Sequence, residues 1–502
     1  MIAMFLNRLS DFILERRMSM QLGLKKNFVL NMLYQLLRII TPFITSPYIS
    51  RVLGVSQLGV YSFTNSYLTY FTLFASLGTG TYGMREIARA RYDQDKRSRL
   101  FWEIEILTIL TSAITLACWF IFTMMHTQDR LYYMILSLNI IAVTFDISWF
   151  YAGMELFQYT LGINAFTKIL SVVAILVFVK KPSDLPIYMF IIGGSTLLGN
   201  IAIWTSLPKF VHLIDLKTIH LKHHFKETSI YFLPTIASSV YNVMDKTMIW
   251  QITKSSVENG YYENANKVLD MMKTLTFVSL NGVVSSRSSY LFAKGEFERM
   301  KEMIRQCMDY VLFMGLGIIF GLLGITSVFV PWFFGPHYAK SIDLILIMSP
   351  VIVIIGISYV LGAQYYTPSG QRKKSTFCIC MGAILNFVLN SIFIPTYKSY
   401  GAAVATVAAE LLITFLYMHY ANGYLKYSTL IKLGYKKLIA AICMLIVILW
   451  INHYFNNGAF ALFLMVSAGF ITYIVILLML RDSFICNIIK RMKQRSSILI
   501  RR

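Results

Sequence analysis

The stretch AFALFLMVSAGFITYIVILLML, at residues 459–480, contains no charged side chain. It has about the length that a helix needs to cross roughly 30 Å of hydrocarbon, which is ~20 residues. Similar apolar stretches lie near residues 28–50, 61–82, 104–125, 131–153, 159–179, 186–207, 228–251, 264–286, 308–331, 342–363, 376–396, 401–421 and 438–455. The sequence therefore predicts an all-α polytopic membrane protein with about fourteen transmembrane helices.

The composition agrees with a chain whose solvent is mostly lipid. Of its 502 residues, 57% are hydrophobic and 14% are charged, and the mean hydropathy is +0.61. These proportions exclude an ordinary soluble globular protein. No long polar stretch separates the spans, so there is no room for a soluble catalytic domain. We therefore expect a protein that is not an enzyme and that needs no cofactor.

The net charge of +22 could indicate a nucleic-acid partner, but the positions of the basic residues favour a different reason. Lys and Arg near helix ends collect on the cytoplasmic side of a membrane. With both termini in the cytoplasm, the basic clusters at 85–99, 372–374 and 490–502 lie on that side, whereas Lys180 and Lys181 fall outside. The sequence thus predicts a multi-pass membrane protein, surrounded by lipids, with both termini in the cytoplasm and no nucleic-acid partner.

Cysteine and histidine give no sign of a disulfide framework or a metal site. The six cysteines lie mostly within apolar stretches, and Cys378 and Cys380 have no third ligand nearby, so we expect small packing residues. His220, His223 and His224 share a Lys-rich loop without zinc spacing, which favours a solvated face.

An internal repeat indicates how the spans are organised. The segment Gly59-Val-Tyr61-Ser-Phe-Thr-Asn65 opens the second span, and Gly260-Tyr-Tyr262-Glu-Asn-Ala-Asn266 opens the eighth. Six spans separate the two copies, and an even number gives both the same orientation across the membrane. We therefore expect two parallel six-helix lobes with a central cavity between them, followed by two additional helices.

This reading divides the chain into six segments. We expect an interfacial amphipathic segment at 1–24, an N-lobe at 25–207, a cytoplasmic linker at 208–227, a C-lobe at 228–421, extra helices at 422–480 and a basic cytoplasmic tail at 481–502. For the first segment, a start codon misassigned upstream of Met18 or Met20 is an alternative.

Several predicted spans contain ionisable side chains. One such side chain at the bilayer centre costs about 2.5–3.5 kcal/mol on insertion scales, so these residues normally face a bundle interior or a watery cavity. The candidates for substrate binding are Arg38, Asp146, Lys168, Asp245, Lys246, Lys267, Asp270 and Lys273. A cavity with excess positive charge would suit an anionic substrate such as a phosphate.

The charges of the seventh and eighth spans allow two interpretations. Glu263, Lys267 and Asp270 recur at i, i+4 and i+7, which places them on one helix face. In the first interpretation, Asp245 and Asp270 neutralise Lys246, Lys267 and Lys273 in a closed network. In the second interpretation, the lysines contact the substrate. The sequence leaves both open.

Five short motifs together resemble the Wzx-type polysaccharide flippases of the multidrug, oligosaccharidyl-lipid and polysaccharide exporter superfamily. They are Arg51-Val-Leu-Gly54 with Gly59 and Tyr61, Arg85-Glu-Ile-Ala88, Asp146-x-x-Trp149-x-x-x-Gly153-x-Glu155, Asp245-Lys246, and Gly260-Tyr-Tyr-Glu-Asn-Ala265. The family commonly has Pro-Arg at the cytoplasmic end of helix 8, where this chain has Ser286-Arg287. The resemblance makes Arg287 a further candidate site residue.

The resemblance implies a MATE-like fold and a flippase activity. Such a protein carries undecaprenyl-diphosphate-linked oligosaccharide repeat units from the inner to the outer leaflet, for capsule, exopolysaccharide or O-antigen export. The lipid-linked glycan would be its substrate, with a polymerase and glycosyltransferases of the same pathway as further partners. Two alternatives stay open: a cation-coupled multidrug exporter of the same superfamily, and a membrane glycan polymerase or acyltransferase.

Overall fold

The computed structural model describes residues 2–215, 219–281, 284–455 and 458–489. Side chains are described from Leu37 onward, except at Arg38, Ile39 and positions within 230–242, 275–281 and 284–286. Throughout these ranges the regular structure is helical. The prediction of an all-α protein is therefore confirmed. Most of the predicted basic tail, from residue 490, lies outside the described residues, as do the side chains of the predicted interfacial segment.

Seventeen α-helices follow one another along the described chain. They are α1 (Ile2–Ser76), α2 (Thr79–Arg89), α3 (Gln94–Met125), α4 (Arg130–Thr144), α5 (Ser148–Gly153), α6 (Phe157–Phe178), α7 (Leu185–Trp204), α8 (Leu221–Thr253), α9 (Ser256–Asn281), α10 (Val284–Ala293), α11 (Phe297–Phe333), α12 (Ala339–Met348), α13 (Val351–Leu361), α14 (Arg372–Tyr397), α15 (Ser399–His419), α16 (Tyr427–Tyr454) and α17 (Ala459–Met479).

Within the described ranges, nine helical segments are long and apolar enough to cross a membrane. A tenth span forms if Pro336–Met348 and Val351–Tyr366, which meet at a 46° bend, are taken together. The other four predicted spans fall in α1, in α8 and in α9 with α10, each of which contains positions whose side chains lie outside the described residues. Those four are the first two spans of each predicted lobe.

Helix α1 contains the first two predicted spans, joined through a break at Gly54. This glycine has φ 74° and ψ 172°, a conformation that a side chain would strain. Pro42 and Pro47 lie inside the helix before the break. The chain therefore changes direction at the glycine, and the repeat motif at 59–65 begins one turn later.

The chain divides into two compact units. The first contains Met1–Leu53 and Tyr67–Ser239, and the second contains Gly54–Ser66 and Val240–Arg502. The core of the first unit is aromatic and centres on Phe101, Trp149 and Phe150. Helix α8 begins in the first unit and ends in the second. The boundary between the two units, at Ser239 and Val240, therefore falls after the predicted linker at 208–227. The predicted segment boundaries themselves stay predictions.

In the second unit, the two copies of the repeat cross each other at their glycines. A Cβ atom at Gly59 would overlap the carbonyl oxygen of Ser256, and one at Gly260 would overlap that of Val55. Val55 and Ser256 are separated by the same 201 residues as the two glycines, so the contact is reciprocal. Small residues permit such close approach of membrane helices, because backbone can then meet backbone.

A buried ion cluster joins the last two helices to α11. The Lys437 side chain on α16 is fully buried, and its Nζ lies 2.5 Å from Asp309 Oδ1 on α11. Asp482, just after α17, approaches the same Nζ to 2.9 Å. An apolar cluster that includes Met444, Ile448 and Tyr473 also packs α16 against α17. These three charges fix the position of α16 and α17 on the second unit.

Candidate functional site

The candidate site is built around Glu263, in the first turns of α9. Its Oε2 lies 2.6 Å from Nζ of Lys246 on α8, and its Oε1 lies 3.7 Å from Nζ of Lys267, one turn further along α9. Ser62 donates a hydrogen bond of 2.9 Å to Oε2. One carboxylate therefore contacts two ammonium groups.

Both lysines of the cluster keep access to the surface of the second unit. The Lys246 and Lys267 side chains are 20% and 23% exposed, whereas Glu263 is 11% exposed. The cluster is suited to an anion, because a charged hydrogen bond is strong where water is scarce.

Lys273 forms a separate pair with Asp270, at 2.7 Å. Asp270 is largely exposed, so the pair is close to solvent. Among the described residues, the carboxylate in contact with Lys246 and Lys267 is that of Glu263, while Asp245 and Asp270 act on Lys246 electrostatically. Both interpretations of the lysines therefore stay open. Sequence spacing identified Glu263 as a neighbour of Lys267 on α9 but gave no information about α8.

Asp245 instead belongs to a buried cluster of neutral side chains. Its Oδ2 accepts hydrogen bonds from the hydroxyls of Tyr262 (2.5 Å) and Thr406 (2.6 Å), and its Oδ1 accepts one from Asn390 Nδ2 (2.7 Å). Asn390 also donates to Asn386 Oδ1 at 3.1 Å. These polar residues of α14 and α15 were not foreseen, although Asn386 and Asn390 stand at i and i+4 within an apolar span.

The other predicted site residues occupy different surroundings. Asp146 accepts a hydrogen bond of 3.0 Å from the backbone N–H of Ser148, so it caps α5 at the break after α4. Lys168 is exposed on α6, and Arg287 is exposed on α10. The side chain of Arg38 lies outside the described residues. The structure thus joins Lys246 with Lys267, and Lys273 with Asp270, in the described part of the candidate set.

The family motifs of the first unit hold α2 against α5. A Cβ atom at Gly83 would collide with the ring of Trp149, and one at Gly153 would lie 2.7 Å from the carbonyl oxygen of Met84. Glu155 then pairs with Arg91 at 2.8 Å. This pairing lowers the pKa of Glu155, chiefly through the hydrogen bond from Arg91. These motif residues therefore act in packing.

A correction concerns the histidines at the start of α8. We expected a solvated face, but His224 is buried, and its Nδ1 lies 2.8 Å from the Tyr82 hydroxyl. Its Nε2 lies 2.9 Å from Oε2 of Glu103 on α3. The backbone N–H of His220 also donates to Glu103, at 3.1 Å. The buried Glu103 carboxylate on α3 therefore holds this segment through two hydrogen bonds. The composition of the segment gave no indication of that partner.

Comparison with known families identifies the chain. A family model described as "Polysaccharide biosynthesis protein" matches residues 24–285, which is more than half of the chain. The chain belongs to this family. The predicted relationship to polysaccharide flippases of the Wzx type is thereby confirmed.

Two curated relatives of this family member are informative. A "Putative O-antigen transporter" of Escherichia coli K12 is 22% identical over 413 residues, covering 80% of this chain and 98% of the relative. A "Probable low-salt glycan biosynthesis flippase" of Haloferax volcanii is 23% identical over 270 residues, covering 51% of this chain and 54% of the relative.

Solved structures of the same fold come from two kinds of transporter. The lipid II flippase MurJ, in an inward closed conformation, matches with a TM-score of 0.70 and 14% identity, over 91% of this chain and 99% of that one. An inward-facing multidrug resistance MATE family transporter matches with a TM-score of 0.57 and 14% identity, over 80% and 96%. At such identities the likeness shows the fold, and it confirms the predicted MATE-like architecture.

Proposed function

We propose that this polysaccharide biosynthesis family member is a flippase for undecaprenyl-diphosphate-linked oligosaccharide repeat units. It moves them from the inner to the outer leaflet of a bacterial inner membrane, for export of a capsule, exopolysaccharide or O-antigen. The observation that carries the proposal is the pair Lys246 and Lys267, which share the single carboxylate of Glu263. The curated O-antigen transporter relative supports the same substrate class.

The two ammonium groups of this cluster suit a diphosphate. An ammonium group binds phosphate oxygens as a compact point charge, and a guanidinium can grip two of them. Arg38, Lys273 and Arg287 are proposed as further contacts of the head group, while the prenyl chain stays in lipid. Asp146, Lys168, Asp245 and Asp270 complete the proposed site by orienting or balancing these charges.

The transport cycle we propose is alternating access, without a catalytic step. The sequence contains no G-K-[ST] phosphate loop, so ATP is not the energy source within this chain. Outward movement of negative charge is favoured by an inside-negative potential, by about 2.3 kcal/mol per charge per 100 mV. Both termini are proposed to be cytoplasmic, and glycosyltransferases and a polymerase of the pathway are proposed partners.

The test is complementation of a deletion strain, with lipid-linked glycans measured on each leaflet at matched membrane abundance. We expect Lys246→Met with Lys267→Met to lower export strongly, Arg38→Lys to lower it partly and Arg38→Ala to lower it further. Lys301→Met is the control, because the Lys301 ammonium group pairs with the exposed Glu298 and lies over the Tyr424 ring, neither of which is a candidate site residue. Normal export by Lys246→Met/Lys267→Met and by Arg38→Ala would refute the proposed site. Loss of drug resistance without glycan accumulation in the deletion strain would indicate a multidrug exporter instead.

A further inference from the structure

One acidic residue of the first unit stands apart from the charged residues around it. In the same region, Arg85 and Arg89 pair with Glu86, Arg91 pairs with Glu155, and Arg99 pairs with Glu103. Glu105 on α3 is fully buried, yet both of its carboxyl oxygens have no hydrogen-bond partner among the described residues. Every arginine in this group is already paired, and none of them serves Glu105.

The ionisable side chain that acts on Glu105 is another acid. Asp146, at the break between α4 and α5, interacts electrostatically with it. The register agrees, because Phe101 lies one turn before Glu105 and Trp149 lies one turn after Asp146, and these two rings stack at 5.6 Å. The indole N–H of Trp149 is also buried and unpartnered within the described chain. A second acid therefore acts on the buried Glu105, beside the aromatic core that contains Trp149.

Other ionisable groups on the surrounding helices have partners of their own. Tyr82 on α2 bonds His224 on α8, and His224 bonds Glu103, which lies on another face of α3. None of these groups supplies a positive charge to Glu105. A carboxylate buried without a partner costs several kcal/mol, and a neighbouring acid adds to that cost.

A line of small polar side chains continues from Glu105 along the same buried face of α3. Thr108, Ser112 and Thr115 follow at intervals of three, four and three residues, and each is at most 6% exposed. Thr108 bonds Thr79 on α2, whereas the Ser112 hydroxyl has no partner in the described structure. Within the described chain, Ser112 therefore adds a second unsatisfied polar group to the buried face that carries Glu105.

We propose that Glu105 is a proton-binding site, and that the hydroxyl line of α3 relays protons to it. A proton delivered through water forms an O–H bond with one Glu105 oxygen, which neutralises the carboxylate and lets it stay buried. Release returns the proton to water and leaves the carboxylate charged, a state that requires solvent or a rearranged core. Such a group couples a conformational change of the first unit to proton movement. That coupling rests on the proposed transport function, whereas the proton site itself does not.

Infrared difference spectroscopy of the purified full-length protein, recorded while pH is varied, tests the site directly. We expect a protonated carboxyl C=O band at neutral pH that disappears in Glu105→Gln and persists in Glu155→Gln, whose wild-type carboxylate is ionised by Arg91. Glu105→Asp keeps a carboxyl and should keep a shifted band. A band unchanged in Glu105→Gln would overturn the proposal, and so would a wild-type protein without such a band.

Export measured at matched abundance over a range of external pH then tests the coupling. Glu105→Gln imitates the protonated form, so we expect its export to lose at least half of the pH dependence of the wild-type protein. Glu105→Asp should retain it. A full pH dependence in Glu105→Gln would refute coupling. If the infrared band behaves as expected but the deletion strain exports glycan normally, the flippase proposal fails while the proton site stands.

Discussion

Ser62 donates a 2.9 Å hydrogen bond to Glu263, and the two residues occupy equivalent positions of the internal repeat, 201 residues apart. Equivalent positions touch each other only where an approximate twofold axis passes between them. The reciprocal contacts of Gly59 and Gly260 surround the same point. The two motif segments therefore cross with local twofold symmetry, and the candidate anion cluster lies beside that crossing.

The glycine crossing predicts a large effect for a single methyl group. Gly59→Ala would drive its Cβ into the Ser256 carbonyl, which should cost about 1–3 kcal/mol and lower the melting temperature in detergent. Gly260→Ala should lower the stability by a similar amount. The double variant should lose less stability than the sum of the two single losses, because one separation of the two helices relieves both steric clashes. Gly162→Ala is the control, since nothing lies within 4 Å of that position. Equal melting temperatures for Gly59→Ala and Gly162→Ala would contradict the close crossing.

Lys437 should be the most sensitive lysine of the described chain for stability. Lys437→Met leaves Asp309 and Asp482 buried without their cation, at a cost of about 3–5 kcal/mol. Adding Asp309→Asn and Asp482→Asn should restore much of the loss, because no unpaired charge then remains. Thermal unfolding in detergent measures both effects. Lys436→Met should change little, since that ammonium bonds only the Arg481 carbonyl among described groups. A triple variant no more stable than Lys437→Met would count against this account.

The Arg91–Glu155 pair predicts a pH dependence with a definite sign. The pKa of Glu155 is lowered in the folded protein, so its contribution is present above the unfolded value of about 4.3 and is lost as pH falls through the folded pKa. Because Glu155 is 58% exposed, the contribution should be at most about 1 kcal/mol. Glu155→Gln should melt below the wild type at pH 7 and together with it near pH 3. If the difference in melting temperature between the two proteins grew as the pH fell, the predicted direction of the pH dependence would be wrong.

Topology can be tested with single introduced cysteines. Lys96 lies in the first turn of α3, in the segment predicted to be cytoplasmic. Lys254 lies in the predicted external loop between α8 and α9, and both lysines are exposed. In intact cells, a membrane-impermeant thiol reagent should label Lys254→Cys and leave Lys96→Cys unlabelled until the membrane is opened. The chain without introduced cysteines gives the background from its native thiols. Labelling of Lys96→Cys in intact cells would reverse the orientation.

The helices could be predicted from sequence because each apolar stretch must bury its backbone in helical hydrogen bonds. Local spacing also placed Glu263 beside Lys267, since residues four apart share a helix face. The partner of Lys246 could not be obtained in this way, because α8 and α9 meet through tertiary packing. Asp245 likewise found its partners on α14 and α15, more than 140 residues away.

Packing also decided what several noticed residues do. Asp146 drew attention as an intramembrane charge, yet its closest bond is to the backbone of Ser148 at a helix break. His224 belongs to a basic, polar stretch of sequence, yet it is buried in the structure. Its two ring nitrogens form hydrogen bonds with Tyr82 and Glu103, which replace the hydrogen bonds to water that burial removes. Glu105 was not noticed at all, since one acid near the start of an apolar span is ordinary in sequence. Only the folded structure reveals that its buried carboxyl oxygens have no hydrogen-bond partner among the described residues.

The reciprocal glycine contact bears on how the two halves of the sequence arose by duplication. A surface that meets its own copy through identical positions is the interface of a homodimer. A half-length ancestor that paired through this surface would have presented the same residue twice at the axis. After duplication and fusion, the two positions could change independently, and here one is Ser62 and the other Glu263. The lone carboxylate that now holds two lysines is an asymmetry that a dimer of identical chains could not have possessed.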